Sequence, residues 1–275
     1  MNHSNHQSAP ITLCIEFLTR LFKDGKSYST INTARSAISF FVKLEGESWH
    51  TDFGKHPLTV QFMKGVFKQR PALPKYKETW DAKLVLDKLK SLDNEKISLK
   101  ELSLKCTTLL ALASGQRVQT LAAIDLTHIR NLPDYIVCEM NVLLKTSRPG
   151  SHSNLKICRF SADESLCPVS CLNTYIKRTS DLRTDNKLFI SFHKPYKPVT
   201  RQTISRWICT TLHMAGVPKH FTAHSTRSAG TSKAFNRINI DTILETAGWA
   251  SSRTFARFYK RPINIPASFT DAVFS

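Results

Sequence analysis

The sequence predicts a mainly α protein with a small antiparallel β-hairpin (α+β), divided into an all-helical part over 1–72 and a larger part over 77–275. Three observations carry that prediction. The first 70 residues hold apolar stripes at helical spacing. The run Arg70-Pro-Ala-Leu-Pro-Lys-Tyr then interrupts them, because its two prolines cannot continue a helix and favour extended chain. Further on, YIVCEMNVLLK (135–145) and LKICRF (155–160) read as strands, and the TSRPGSHSN between them is rich in turn-forming residues.

Residues 1–10 are expected to be a disordered lead. Ile11 to Asp24 places Leu13, Ile15, Phe17, Leu18, Leu21 and Phe22 on a helical stripe, and Gly25 is a fitting stop. Ser29 is the expected cap of a helix from Thr30 to Leu44, and a third helix is expected over Leu58 to Lys68, with Lys64, Lys68 and Arg70 on a basic face. After the prolines come helices over Thr79 to Leu92 and Leu99 to Ala113, the latter strongly apolar. Beyond the hairpin, helices are expected over Pro168 to Arg178, Thr203 to Ala215 (ending at Gly216) and Asp241 to Ala247, with a short strand at Leu188 to Ser191. A further helix should carry His224.

Charge narrows the function. The chain holds 39 Lys+Arg against 21 Asp+Glu, a formal net charge of +18 and a pI near 9.8. Residues 1–70 contribute nine basic against five acidic residues and the remainder thirty against sixteen, so the excess is no tail. Such a balance on both parts points to a polyanion, and nucleic acid is the usual one. No apolar run approaches the roughly 18 residues that span a bilayer, and MNHSNHQSAP lacks the apolar stretch of a secretory signal. The seven cysteines are scattered, with Cys167 and Cys171 the only close pair and no matching ligands for zinc, so reduced thiols and no metal site are expected. Neither a P-loop nor a G-x-G-x-x-G is present, which excludes the common nucleotide-cofactor signatures; no cofactor and no small-molecule substrate are expected.

The chemistry is concentrated in AHSTRSAGTSKAFNRINIDTILETAGWASSRTFARFYK (223–260). His224 and Arg227 are three residues apart, so on a helix their polar heads converge on one face. Tyr259 follows in RFYKR, with Arg257, Lys260 and Arg261 around it. Phosphoryl transfer needs a cation at the non-bridging oxygens, a proton shuttle and an attacking group. Arg227, His224 and Tyr259 are of those three types. Upstream, Ser114-Gly-Gln-Arg117 puts a glycine just before an arginine at a helix start, where the backbone can approach an anion closely.

In this order, Arg117, then H-x-x-R, then Gly248-Trp249, then Tyr259, the motifs resemble the catalytic domain of the tyrosine recombinase (phage integrase) family. The wording of 223–262 is most similar to recombinases of eukaryotic DIRS-type retroelements, and HPLTVQFMKGVFKQRPALPKYKETWD (56–81) resembles the junction between their helical core-binding domain and catalytic domain. The resemblance implies a SAM-like helical clamp over 1–72 and a catalytic domain over 77–275. It also implies double-stranded DNA as substrate, a tetramer on DNA, and a nuclear, intracellular location if the source is eukaryotic. Tyr259 would be the nucleophile that forms a 3′-phosphotyrosyl link. Arg117 and Arg227 would neutralise the phosphorane, and His224 would move the tyrosine proton. Trp249, which can only donate through its indole N–H, would orient the phosphate. Lys145, on the hairpin, would protonate the leaving 5′-oxygen, with Arg148 and Lys156 as rivals for that role. Thr120 stands where many relatives carry an acid, and the Trp249–Tyr259 spacing is one residue longer than is commonest in the family.

Three other readings share these residues. A type IB topoisomerase uses the same chemistry on one duplex, a domesticated relative binds DNA without cutting it, and a non-enzymatic RNA or chromatin scaffold needs the charge alone. The small helical first part argues against the topoisomerase, the full residue set against the second and the ordered motifs against the third. At the end, Pro262 and Pro266 turn the chain away from Tyr259, and Phe269, Val273 and Phe274 can form a small apolar patch over Ala267 to Phe274. That patch can fold back on its own domain or dock on a neighbouring protomer.

Overall fold

The computed structural model describes residues 7–44, 52–142, 144, 154–235, 237–249 and 251–264. The chain divides into two compact units, Met1–Leu73 and Pro74–Ser275.

The first unit is helical because its apolar residues recur at one face. Helix α1 (Ile11–Lys23) and helix α2 (Tyr28–Phe41) are joined through Gly25, whose φ of 76° is the left-handed conformation a side chain would resist. The cap of α2 is Ser27, which accepts from Thr30 N at 3.2 Å, and not the expected Ser29. The helix therefore starts earlier and stops at Phe41. Val42–Leu44 (β2) then pairs in parallel with Gln7–Ala9 (β1), so part of the expected disordered lead is a strand. Helix α3 (Pro57–Gln69) begins with proline at its first position, where no N–H is needed. Cys14, Leu18, Ile31, Phe53, Met63 and Val66 form the core. Arg70 is not on an open basic face. It donates to the carbonyls of Phe22 (2.6 Å) and Lys26 (3.1 Å) and sits 3.9 Å from the Phe22 ring centre, closing the unit.

In the second unit the expected helix from Thr79 begins later. Thr79–Trp80 (β3) is extended, and Asp81 caps α4 (Ala82–Lys90) by accepting from Lys83 N at 2.9 Å. Helix α5 (Leu99–Ser114) opens with a capping box, Ser98 and Glu101, and is buried along most of its length. It ends at Gly115, with φ 57°, and α6 (Val118–Ala123) follows. A three-stranded antiparallel sheet comes next, β4 (Ile129–Asn131), β5 (Tyr135–Glu139) and β6 (Asn154–Cys158), in that order, with Tyr135 opposite Cys158. The expected hairpin is its β5–β6 half, with shorter strands. Strand β4 is too short and polar to announce itself. The expected strand at Leu188 to Ser191 is reduced to a single bridge, Ile190 to Pro198.

Helices α7 (Pro168–Thr179), α8 (Arg201–Met214) and α9 (Ser225–Phe235) pack on α5. Helix α10 (Ile240–Ala247) and helix α11 (Ser252–Phe258) complete the unit, and Ile263–Asn264 (β7) pairs in parallel with β3. The expected mainly α architecture with a small antiparallel sheet is what the structure shows. Among the described residues no helix is long and apolar enough to cross a membrane.

Candidate active site

The site forms where the ends of α5, α10 and α11 meet the start of α9. Arg227, in the first turn of α9, is 1% exposed. Its Nη1 donates to the Gly115 carbonyl and its Nη2 to the Ala247 carbonyl at 3.1 Å. The guanidinium thus ties together the two left-handed turns that end α5 and α10. A side chain at Gly115 would place its Cβ 3.3 Å from Thr231 Cγ2 and 3.4 Å from Ala247 Cβ, so this approach needs glycine both for space and for its φ of 57°.

Tyr259 closes the site from above. It follows the last residue of α11, and its carbonyl accepts from Ser228 Oγ (2.7 Å) and Ser232 Oγ (3.0 Å), one turn apart on α9. Its ring lies 4.5 Å from the Trp249 ring, and the Arg227 Cζ is 4.7 Å from the Trp249 ring centre and 5.4 Å from that of Tyr259. Cation and rings at such distances attract one another. The Tyr259 hydroxyl is 3.2 Å from His224 Nε2.

His224 is not on the helix. Ser225 Oγ donates back to the Thr222 carbonyl (2.7 Å) and Thr226 Oγ1 to that of Ala223 (2.8 Å), so a turn precedes α9. His224 therefore stays exposed and meets the phenol at its oxygen, while Arg227 points inward beneath the ring. The two converge on Tyr259 from different sides rather than on one helical face.

Arg117 caps α6, is half-buried and lies close enough to repel Arg227. Burial, and then the Arg117 charge, push the Arg227 pKa down to about 10, with Tyr259 acting in the other direction; Arg227 stays charged at neutral pH. Among the described residues neither arginine is paired with a carboxylate. The Nε of Arg227 and the Nε1 of Trp249, which is 7% exposed, are buried donors without a partner there. Buried donors are normally satisfied, so a pair left open beside a phenol oxygen suits an incoming anion.

Lys145 and its rival Arg148 lie outside the described residues. Lys156 is on β6, 4.2 Å from the Tyr135 ring centre. The cations next to Tyr259 in sequence are engaged elsewhere. Lys260 sits 3.9 Å from the Phe235 ring, and Arg261 donates to the carbonyls of Arg257 and of Lys260.

Two features escaped the sequence reading. Ser228 and Ser232 are spaced four apart, a visible helical pair, but nothing local said what they would hold. Gln116, 8% exposed, donates from Nε2 to the Thr246 carbonyl at 2.7 Å and accepts from Thr120 Oγ1 at 3.3 Å. Thr120, at the position where the resemblance places an acid in many relatives, forms with Gln116 a neutral relay that joins the Arg117 turn to the end of α10. Among the described residues no group of three or more His, Cys, Asp or Glu is arranged to hold a metal.

The family described as the phage integrase family matches residues 83–263. No curated protein sequence matches the chain. Among solved structures, the chain resembles the Tn1549 transposon integrase in complex with transposon right end DNA, with a TM-score of 0.63 and 15% identity over 97% of this chain and 84% of that one. It also resembles the XerH site-specific recombinase bound to palindromic difH substrate, with a TM-score of 0.57 and 13% identity over 90% of this chain and 67% of that one. A lambda integrase tetramer bound to a Holliday junction matches with a TM-score of 0.52 and 15% identity, over 95% and 68%. At these identities the likeness is one of fold.

Proposed function

The chain belongs to the phage integrase family, and we propose that it breaks and rejoins duplex DNA by transesterification, with Tyr259 as nucleophile. The observation that carries this reading is the Tyr259 hydroxyl, 3.2 Å from His224 Nε2, above a buried arginine whose Nε is unpartnered. Tyr259 Oη attacks the scissile phosphorus and the P–O5′ bond breaks. A 3′-phosphotyrosyl link forms and a 5′-hydroxyl leaves. His224 takes the phenol proton, and Lys145 supplies one to the 5′-oxygen. Arg117 and Arg227 balance the charge gathered on the non-bridging oxygens, each through a planar fork of donors. The open N–H of Trp249 completes the cradle. The reverse attack by a 5′-hydroxyl reseals the strand, and the phosphotyrosine conserves the bond energy.

Incubation with supercoiled plasmid in EDTA, followed by denaturation, tests this reading. A protein–DNA adduct that survives denaturation is the expected result. Duplex binding without any adduct would instead favour the DNA-binding relative that does not cut.

The helical unit over 1–72 is proposed as a clamp on the same duplex. Binding should then fall steeply with salt, the log–log slope being about −0.9 per phosphate neutralised. A slope worth only one or two phosphates would remove the clamp from the proposal. The retroelement relationship, and the nuclear location that goes with it, rest on the wording of 223–262.

Self-association on DNA is proposed from the tail, 265–275, whose docking in cis or in trans was left open by the sequence and which lies outside the described residues. Residues 263–264 pair with Thr79–Trp80 of the same chain, so a truncation that tests the idea should end after Asn264. The shortened protein is expected to bind single duplexes and to lose its larger DNA complexes in sedimentation. Unchanged synaptic-size complexes would show that the tail packs in cis.

A further inference from the structure

Beside the nucleophile lies a small cavity of about 190 Å³, with Lys75, Tyr76, His224, Thr254 and Tyr259 among its lining residues. Among the described residues of that lining Lys75 is the one lysine or arginine and none is a carboxylate, and the mechanism above makes no use of Lys75. Arg117, Arg227 and Trp249 do not line the cavity. They hold the place of the scissile phosphate at one side of the phenol, and the cavity opens at another.

The backbone around Lys75 is pinned to the site. The Tyr76 hydroxyl is 3.0 Å from Thr222 Oγ1 and accepts from Thr222 N at 3.2 Å, two residues before His224. The Tyr76 ring is 4.9 Å from that of Phe221. Further along, Thr79 N donates to the Pro262 carbonyl and Trp80 Nε1 to Ser225 Oγ, both at 2.9 Å. The chain that delivers Lys75 is thus held to the segments on either side of His224 and Tyr259. Its ammonium lies 3.4 Å from Thr222 Oγ1, a long contact, and 5.2 Å from the Tyr76 ring centre. Among the described residues it has no ion pair. Lys75 is exposed on a backbone that its neighbours hold in place, and a cation there, facing a cavity too small for a duplex yet large enough for one backbone phosphate, is placed to receive that phosphate.

We propose that Lys75 binds the DNA phosphate adjacent to the scissile one on the cleaved strand, and so sets the strand in line for attack by Tyr259. This rests on the transesterification reading. A compact ammonium serves here as a point charge, with no need for the forked geometry of arginine.

The test is single-turnover adduct formation by the full chain, in EDTA, on a duplex of the sequence to which the wild-type plasmid adduct maps. Lys75→Ala is expected to slow the step about tenfold, the usual loss for one charge-assisted hydrogen bond, while duplex affinity and melting temperature hold. Lys75→Arg restores most of the rate. Substituting a neutral methylphosphonate at the one phosphate next to the scissile bond slows the wild type by a similar factor and leaves Lys75→Ala no slower than before. Wild-type adduct formation with an unaffected Lys75→Ala overturns the proposal and leaves the transesterification reading standing. So does a Lys75→Ala that stays sensitive to methylphosphonate at every position. Absence of any wild-type adduct overturns the reading itself, and this inference with it.

Discussion

Tyr259→Phe is expected to bind duplex DNA as the unmodified protein does and to form no denaturant-resistant adduct. The substitution removes one oxygen and its contact with His224, and leaves the other contacts that hold the segment. The Tyr259 carbonyl keeps its bonds from Ser228 and Ser232, the ring keeps its 4.5 Å stack on Trp249, and the Arg227 guanidinium stays beneath it. Loss of the adduct can therefore be assigned to the missing nucleophile and not to a displaced helix. Gel analysis after denaturation, with a filter-binding measurement on the same samples, reads both quantities. An adduct that persists in the Phe variant would mean that another residue attacks the phosphate.

The two arginines should separate in a way that the shared role proposed for them does not suggest. Arg117→Ala and Arg227→Ala are each expected to lose about 10²–10³ in cleavage rate, the usual effect of removing one fixed donor from a transition-state oxygen. Duplex affinity should barely move, since each is one contact among many. Stability tells them apart. Arg227 is 1% exposed and satisfies the carbonyls of Gly115 and Ala247, so its removal orphans two buried acceptors and opens a cavity below Tyr259 and Trp249. Each buried group left unpaired costs about 1–3 kcal/mol, which lowers the melting temperature by several degrees. Arg117 is half-buried and makes no side-chain hydrogen bond among the described residues, so Arg117→Ala should melt where the unmodified protein does. Thermal denaturation beside single-turnover cleavage decides the matter. A cold-melting Arg117 variant, or an Arg227 variant of unchanged stability, would contradict the geometry. Equal loss of binding and cleavage would mark the residue as an anchor.

What the sequence determined by itself was what is written locally. Helical stripes located α1, α3, α5, α7 and α8 to within a few residues, because each depends on contacts three and four positions apart. Glycines at 25 and 216 ended helices through their positive φ. The alternation of Tyr135–Glu139 and Asn154–Cys158 marked the hairpin. The order of Arg117, His224, Arg227, Trp249 and Tyr259 pointed to phosphoryl chemistry before any geometry was known.

Only the tertiary structure decided which cation stands at Tyr259. The neighbours in sequence, Lys260 and Arg261, are occupied by Phe235 and by their own backbone. The cation beneath the ring is Arg227, 32 residues away, held inside by two carbonyls from other elements. The same holds for Thr79–Trp80, which reads as the start of a helix but pairs as a strand with Ile263–Asn264. It holds again for Gln7–Ala9, extended against Val42–Leu44. A strand of two or three residues has too few positions to show a period, and its hydrogen bonds lie with a partner far along the chain. A buried cation is likewise stable only where distant carbonyls converge on it. Neither condition leaves a mark within the few residues over which a sequence pattern can be read.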